Sequence, residues 1–312
     1  MSSDLVSVAA QQVLVLFLLV LVGYVAVKAG AVKAELRSGL SDLLLNVILP
    51  AMIINSYLTE YDPSISANLA VTLAASTAAL LVSIGISALV CARMKNGDAP
   101  LMRFAMGFCN AGYMGFPLIS ALFGSEGLLY ASVFHTVYNL FVWTVGVGQL
   151  ERDRTGHGLS AVLDVLKKPT MIAMVIGLVI YFGQIPIPSL LAEPIELLSN
   201  VNTPVAMFIT GMVMAGSSLK DTVKDGRMWL AVGMRLLVIP AAVLALCRVA
   251  SVNGMVGAVV VLLSACPCAS ITSVFAVRYQ YEEALGAGMV VASTLLSIGT
   301  LPLFAALVSL LG

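Results

Sequence analysis

Gly107-Phe108-Cys109-Asn110-Ala111-Gly112-Tyr113-Met114-Gly115-Phe116-Pro117 interrupts what is otherwise an apolar helix, with mostly apolar residues before it at 101–106 and after it at 118–123. Three glycines loosen the backbone of this centre, and its proline has no N–H to give a helix. In hydrocarbon, unwound backbone survives only where protein or a wet cavity satisfies its N–H and C=O groups. An interruption at that depth is therefore a candidate site. A second stretch, Leu262-Leu263-Ser264-Ala265-Cys266-Pro267-Cys268-Ala269-Ser270-Ile271-Thr272-Ser273, sets small and hydroxyl residues around another proline. Two interrupted spans in corresponding positions of two halves are the sequence mark of a binding site built from broken membrane helices.

Composition places the pair in a bilayer. Of the 312 residues 60% are hydrophobic and 10% charged, against the roughly 25% charged share of a soluble domain, and mean hydropathy is +1.03. The apolar runs are about 20 residues long, enough to cross roughly 30 Å of hydrocarbon as helices; a closed barrel would alternate instead. The first run, 6–27, lacks a preceding basic region and a small-residue cleavage site, so it reads as a retained span. Net charge is zero, so the overall balance says nothing about partners, and no nucleic-acid partner is expected. Cys91, Cys109, Cys247, Cys266 and Cys268 lie in or beside apolar spans, as packing thiols do; no metal-ligand spacing and no cofactor motif occurs.

Ten spans follow from apolar length and turn residues: 6–29, 40–58, 67–92, 101–123, 128–150, 170–184, 194–216, 228–249, 255–277 and 284–311. With the N-terminus outside, all but two of the 16 basic residues, Arg235 and Arg248, fall in inner loops. That asymmetry puts both termini on the non-cytoplasmic side and the segment 152–168 in the cytoplasm. The halves repeat. A shift of 154 lays Gly23 on Gly177, and Asp42-Leu-Leu-Leu-Asn46-Val-Ile-Leu-Pro50 on Glu196-Leu-Leu-Ser-Asn200-Val-Asn-Thr-Pro204; a shift of 156 lays the fourth span on the ninth. Five spans per half is odd, so the second half, 169–312, enters the membrane inverted relative to the first, 1–151. The expected fold is all-α and integral to the membrane: ten transmembrane helices in two inverted five-helix repeats, with broken helices 4 and 9 crossing near the midplane.

Each break offers a half-helix N-terminus, whose free N–H groups and partial positive charge suit an anion. Asn110 brings a donor and an acceptor, though asparagine also caps helices. Gly112, Asn139 as cavity lining and, in the ninth span, Cys266, Pro267 and Ser270 complete the substrate-binding candidates; Ser and Thr in apolar helices more often bond their own backbone. Gly115 and Pro117 are hinge candidates, as are Pro50 and Pro204, each four residues after an asparagine that can satisfy a freed carbonyl. Four ionisable residues fall inside spans and could couple transport: His135, Asp42, Glu196 and Arg235. Asp42 and Glu196 read as one turn inside their helix starts, favouring capping over proton relay. Arg235 either snorkels or faces the cavity. His135 titrates near neutrality, and Asn139, one turn on, shares its face.

These residues resemble the auxin efflux carrier family, the bacterial relatives of plant PIN auxin exporters. The resemblance covers nearly the whole chain. It is most specific at Leu44-Leu-Asn46-Val-Ile-Leu-Pro50, Asn110-Ala-Gly-Tyr-Met-Gly115-Phe-Pro117-Leu and Leu122-Phe-Gly124-Ser-Glu126-Gly127-Leu-Leu, with Lys168-Pro169-Thr-Met-Ile-Ala-Met-Val-Ile-Gly177 adding to it. It implies crossing fourth and ninth helices with substrate bound where they meet, Asn110 binding its carboxylate and Pro267 as the ninth-helix crossover proline. It also implies a homodimer in the inner membrane and a small organic acid such as malonate, malate or an auxin-like acid as substrate. The regulatory loop of many PIN carriers has no counterpart in 151–168.

The function expected is a secondary carrier or uniporter of small organic anions working by alternating access, and not an enzyme. A sodium-coupled symporter of the bile-acid type shares the architecture, but neither break carries an acid. A non-transporting sensor would need appended domains or long loops.

Overall fold

The computed structural model describes residues 2–58, 61, 63–94, 97–150, 167–216 and 223–308. These form helices α1 (Ser2–Lys28), α2 (Leu36–Tyr57), α3 (Pro63–Cys91), α4 (Ala99–Gly107), α5 (Ala111–Leu150), α6 (Pro169–Gly183), α7 (Ser189–Gly216), α8 (Gly226–Val249), α9 (Gly254–Ala265), α10 (Ile271–Arg278) and α11 (Glu283–Val308). No strand occurs among the described residues, in line with an all-α membrane protein. The expected cytoplasmic loop, 152–168, lies outside them except for Lys167 and Lys168.

Six helices among the described residues are long and apolar enough to cross a membrane, fewer than the ten spans drawn from the sequence. Much of the difference is helix interruption. α4, α9 and α10 are too short to cross alone. α5, at 40 residues, would extend about 60 Å if straight, twice the hydrocarbon thickness. It turns at Gly124, whose φ of 60° and ψ of −148° no helix contains.

Packing is densest around α4 and α9. Every residue of α9 from Val256 to Ala265 is buried, and α4 buries all but two of its residues. α1, α6 and α7 instead show large apolar residues outward, among them Leu18, Leu21, Val175, Val179, Leu190 and Leu197. Apolar surface on that scale suits a lipid face and is foreign to soluble monomers. α1 lies against α7 at glycines: a Cβ on Gly23 would sit 2.3 Å from the Phe208 carbonyl oxygen, and one on Gly211 2.1 Å from that of Val20. Small residues let membrane helices approach closely where no hydrophobic effect draws them together. α2 meets α6 in the same way, with the Tyr57 ring pressed on Gly177.

Two helix starts correct the sequence reading. α2 begins at Leu36 and α7 at Ser189, so Asp42 and Glu196 lie about two turns in, on exposed faces, and cap nothing. Apolar length marks only the part of a helix inside the hydrocarbon, whereas the helix continues into polar residues beyond it wherever its backbone bonds allow.

Candidate functional site

Helical structure stops at Gly107 and resumes at Ala111. Phe108 is extended (φ −119°, ψ 129°), and Asn110 (φ −83°, ψ 58°) is the N-cap of α5. In the second stretch α9 stops at Ala265, Cys266 turns extended (φ −59°, ψ 150°), and α10 starts at Ile271 behind Ser270. The two short extended segments pair antiparallel at Cys109 and Cys268. Asn110 N donates to Pro267 O at 2.8 Å and Ala269 N to Phe108 O at 3.1 Å. The unwound groups of one break thus satisfy those of the other, as an apolar interior demands. Cys268 N turns the other way, to Ser293 Oγ of α11 at 3.0 Å.

Asn110 joins the two resuming helices. Its Oδ1 accepts from Tyr113 N at 3.3 Å, a helix cap, while its Nδ2 donates to Ser270 Oγ at 2.9 Å. The N-termini of α5 and α10 are thereby held together, each bringing the equivalent of about half a positive charge and N–H groups without intrahelical partners. Asn110 and Ser270 are buried, at 5% and 8% exposure. A carboxylate fits the chemistry of such a pair of ends.

His135 of α5 flanks the same place. A Cβ on Gly112 would stand 3.5 Å from its Cε1. Phe116 meets its ring edge-on at 5.2 Å and Tyr138 stacks on it at 5.7 Å. Its Nδ1 is buried without a hydrogen-bond partner. Asn139, expected to line a cavity, commits its Nδ2 to the His135 carbonyl at 3.0 Å, within its own helix.

Cys266 is fully buried, its Sγ 3.5 Å from the Leu262 carbonyl it donates to. A Cβ on Gly115 would be 2.5 Å from Leu263 Cδ2, so the glycine lets α5 rest on α9. Pro117 is the second residue after the π turn Ala111–Gly115. Arg235 neither snorkels nor faces outward: it is buried, with Nη1 donating to Met106 O at 2.9 Å and Nη2 to Ser264 O. The helix ends gave it partners that no spacing on α8 reveals. Asn110, Pro267, Ser270, Gly112 and His135 are thus gathered in one place, with Gly115, Cys266 and Arg235 packed beside them. Pro50 and Asp42 on α2, and Pro204 and Glu196 on α7, take part in none of these contacts. Ser293, Phe116 and Tyr138 went unread in the sequence, although Tyr138 stands three residues from His135 and so on its face.

Comparison with known proteins bears on this arrangement. The family described as "Membrane transport protein" matches residues 8–161 and 157–305. An uncharacterized transporter of Methanothermobacter thermautotrophicus is 26% identical over 299 residues, 95% of this chain and 97% of that protein. One of Methanocaldococcus jannaschii is 26% identical over 297 residues, 92% and 94% of the two chains. One of Escherichia coli K12 is 22% identical over 303 residues, 93% and 94%. The chain belongs to the membrane transport protein family, that of the auxin efflux carriers, and is a multi-pass membrane transporter rather than an enzyme.

Proposed function

We infer that the chain carries small organic anions across the membrane by alternating access, as a secondary carrier or uniporter. The observation behind this is the Asn110–Ser270 bond between two helix N-termini inside apolar surroundings. In this reading 1–151 and 169–312 are inverted five-helix repeats, α4 with the start of α5 is the fourth passage, and α9 with α10 is the ninth. The turn at Gly124 and the halved helices support that count. Asn110, Gly112, Ser270 and Pro267 meet the substrate carboxylate, with Cys266 and Asn139 at the margins of the site. Gly115, Pro117, Pro50 and Pro204 take up the bending, and His135, beside Gly112, is a candidate coupling group. The substrate class is a small mono- or dicarboxylate such as malonate or malate. A homodimer in the inner membrane with non-cytoplasmic termini goes with the same reading, and the placing of basic residues supports that orientation.

Uptake of labelled dicarboxylates into liposomes tests it. Removing one hydrogen-bonding group from a charged ligand weakens binding by about 1.5–3 kcal/mol, or roughly 10- to 150-fold. Asn110→Ala should therefore raise the half-saturating concentration by that factor. Asn110→Ala and Ser270→Ala proteins that both transport like the wild type place the site elsewhere.

A further inference from the structure

The two interrupted helices end on one side chain. The penultimate carbonyls of α4 and α9, Met106 O and Ser264 O, accept from Nη1 and Nη2 of the same Arg235. The residue is 1% exposed and has no carboxylate partner among the described residues. A guanidinium taken out of water needs compensating charge. The helices supply it: each C-terminus carries the equivalent of about half a negative charge, so two converging ends match one guanidinium. Arginine suits the task because its planar fork reaches two acceptors at once and keeps its charge when buried. The π turn Met234–Val238 holds it in place from α8. Nε remains buried without a partner, so both pairing prongs go to the helix ends and none to an acid.

Unwound carbonyls and half-helix C-terminal ends are the groups that coordinate the driving ion in sodium-coupled carriers. Here a covalently held cation already occupies them. We propose that Arg235 is a resident cation standing in the place of a coupling metal ion. The wild-type protein then needs no sodium, and removing the side chain opens a site that a small guanidinium ion fills. Asn110 lies four residues beyond Met106 and Ser270 six beyond Ser264, so the same charge also biases the anion-binding ends of both breaks. That last consequence rests on the carrier reading above; the cation site itself does not.

Thermal unfolding of the purified full-length chain in detergent, in sodium, choline or methylguanidinium chloride at equal ionic strength, tests the proposal. The wild type should melt at one temperature in sodium and choline. R235A should melt lower and recover several degrees in millimolar methylguanidinium but not in choline, since an ion bound only to the folded state raises its stability. R235K should fold and stay indifferent to sodium. Three results would overturn the proposal: a wild type stabilised by sodium over choline, an R235A protein as stable as the wild type, or a folded R235A that no small cation rescues. Should R235A fail to fold, R235K decides: sodium indifference supports the proposal and sodium stabilisation overturns it. The readout requires no transport, so a wild type that takes up no organic acid would count against the carrier reading alone.

Discussion

Asn110 holds two positions at once. Its carbonyl oxygen caps α5 while its amide reaches Ser270 on the opposing helix, so capping and site-building are one geometry rather than alternatives. Asn110→Asp separates them. The carboxylate keeps the acceptor for Tyr113 N and gains from the helix dipole, which favours a negative charge by about 0.3–1 kcal/mol. It also loses the donor to Ser270 and puts a like charge where an anion would bind. The expected result is a melting temperature within a few degrees of wild type together with loss of saturable carboxylate uptake. Uptake retained in that variant would remove Asn110 from the anion site. The sequence made this residue legible because a polar group beside a proline and three glycines has few uses at membrane depth. Arg235 was not legible in the same way: its partners are backbone carbonyls 129 and 29 residues away, and no side-chain pattern encodes them.

Elements follow rules only half written in the residues. Three of the four π turns among the described residues, Leu44–Ile48, Ala111–Gly115 and Met234–Val238, end two residues before a proline, Pro50, Pro117 and Pro240, whereas the fourth, Val142–Gly146, does not. Proline removes a backbone donor and its ring crowds the carbonyl one turn back, and widening the preceding turn relieves that contact. Pro204 and Pro302 lie inside α7 and α11 with no such turn, so proline alone does not predict one. Glycine at a helix crossing is plainer. A methyl on Gly211 would stand 2.1 Å from Val20 O and 2.6 Å from Tyr24 N, both backbone atoms that no rotamer change can clear. Gly211→Ala should push α1 from α7 and lower stability by about 1–3 kcal/mol. Gly85→Ala on α3, with nothing within 4 Å of the added carbon, should be neutral or slightly stabilising. Melting temperatures of the two variants in one detergent decide it, and equal values would mean that this crossing is loose. The shift that laid Gly23 on Gly177 had already marked two of the close contacts, each against the opposite half of the chain.

At the scale of the molecule, α4 and α9 are the most buried helices, while α1, α6 and α7 turn large apolar residues outward. One polar cluster lies where α4, α8 and α11 begin. Arg227 donates from Nη1 to Asp98 Oδ2 at 3.1 Å and from Nη2 to Asp225 Oδ2 and Glu282 Oε2, both at 2.7 Å. Glu282 N closes the ring on Asp98 Oδ1 at 3.1 Å. The starts of α4 and α8 and the turn before α11 are thereby linked, which favours their moving as one body. Partners 129 and 184 residues apart could not be read from one sequence. The cluster carries a pH dependence of definite sign. Hydrogen bonds from Arg227 hold the Asp225 carboxyl below its ordinary value of 3.8. A carboxylate depressed in the folded state contributes stability that is complete above the unfolded value and is lost as pH falls through the lower folded one. Melting temperature should therefore drop as pH falls below about 4. Arg227→Gln should melt lower at pH 7 by the few tenths to about 1 kcal/mol of a half-exposed pair and show a shallower further loss in acid. High salt should shrink the gap between the two proteins, because the cluster is within reach of screening ions. An Arg227→Gln protein that loses stability in acid as steeply as the wild type would place the sensitive carboxylates outside this cluster.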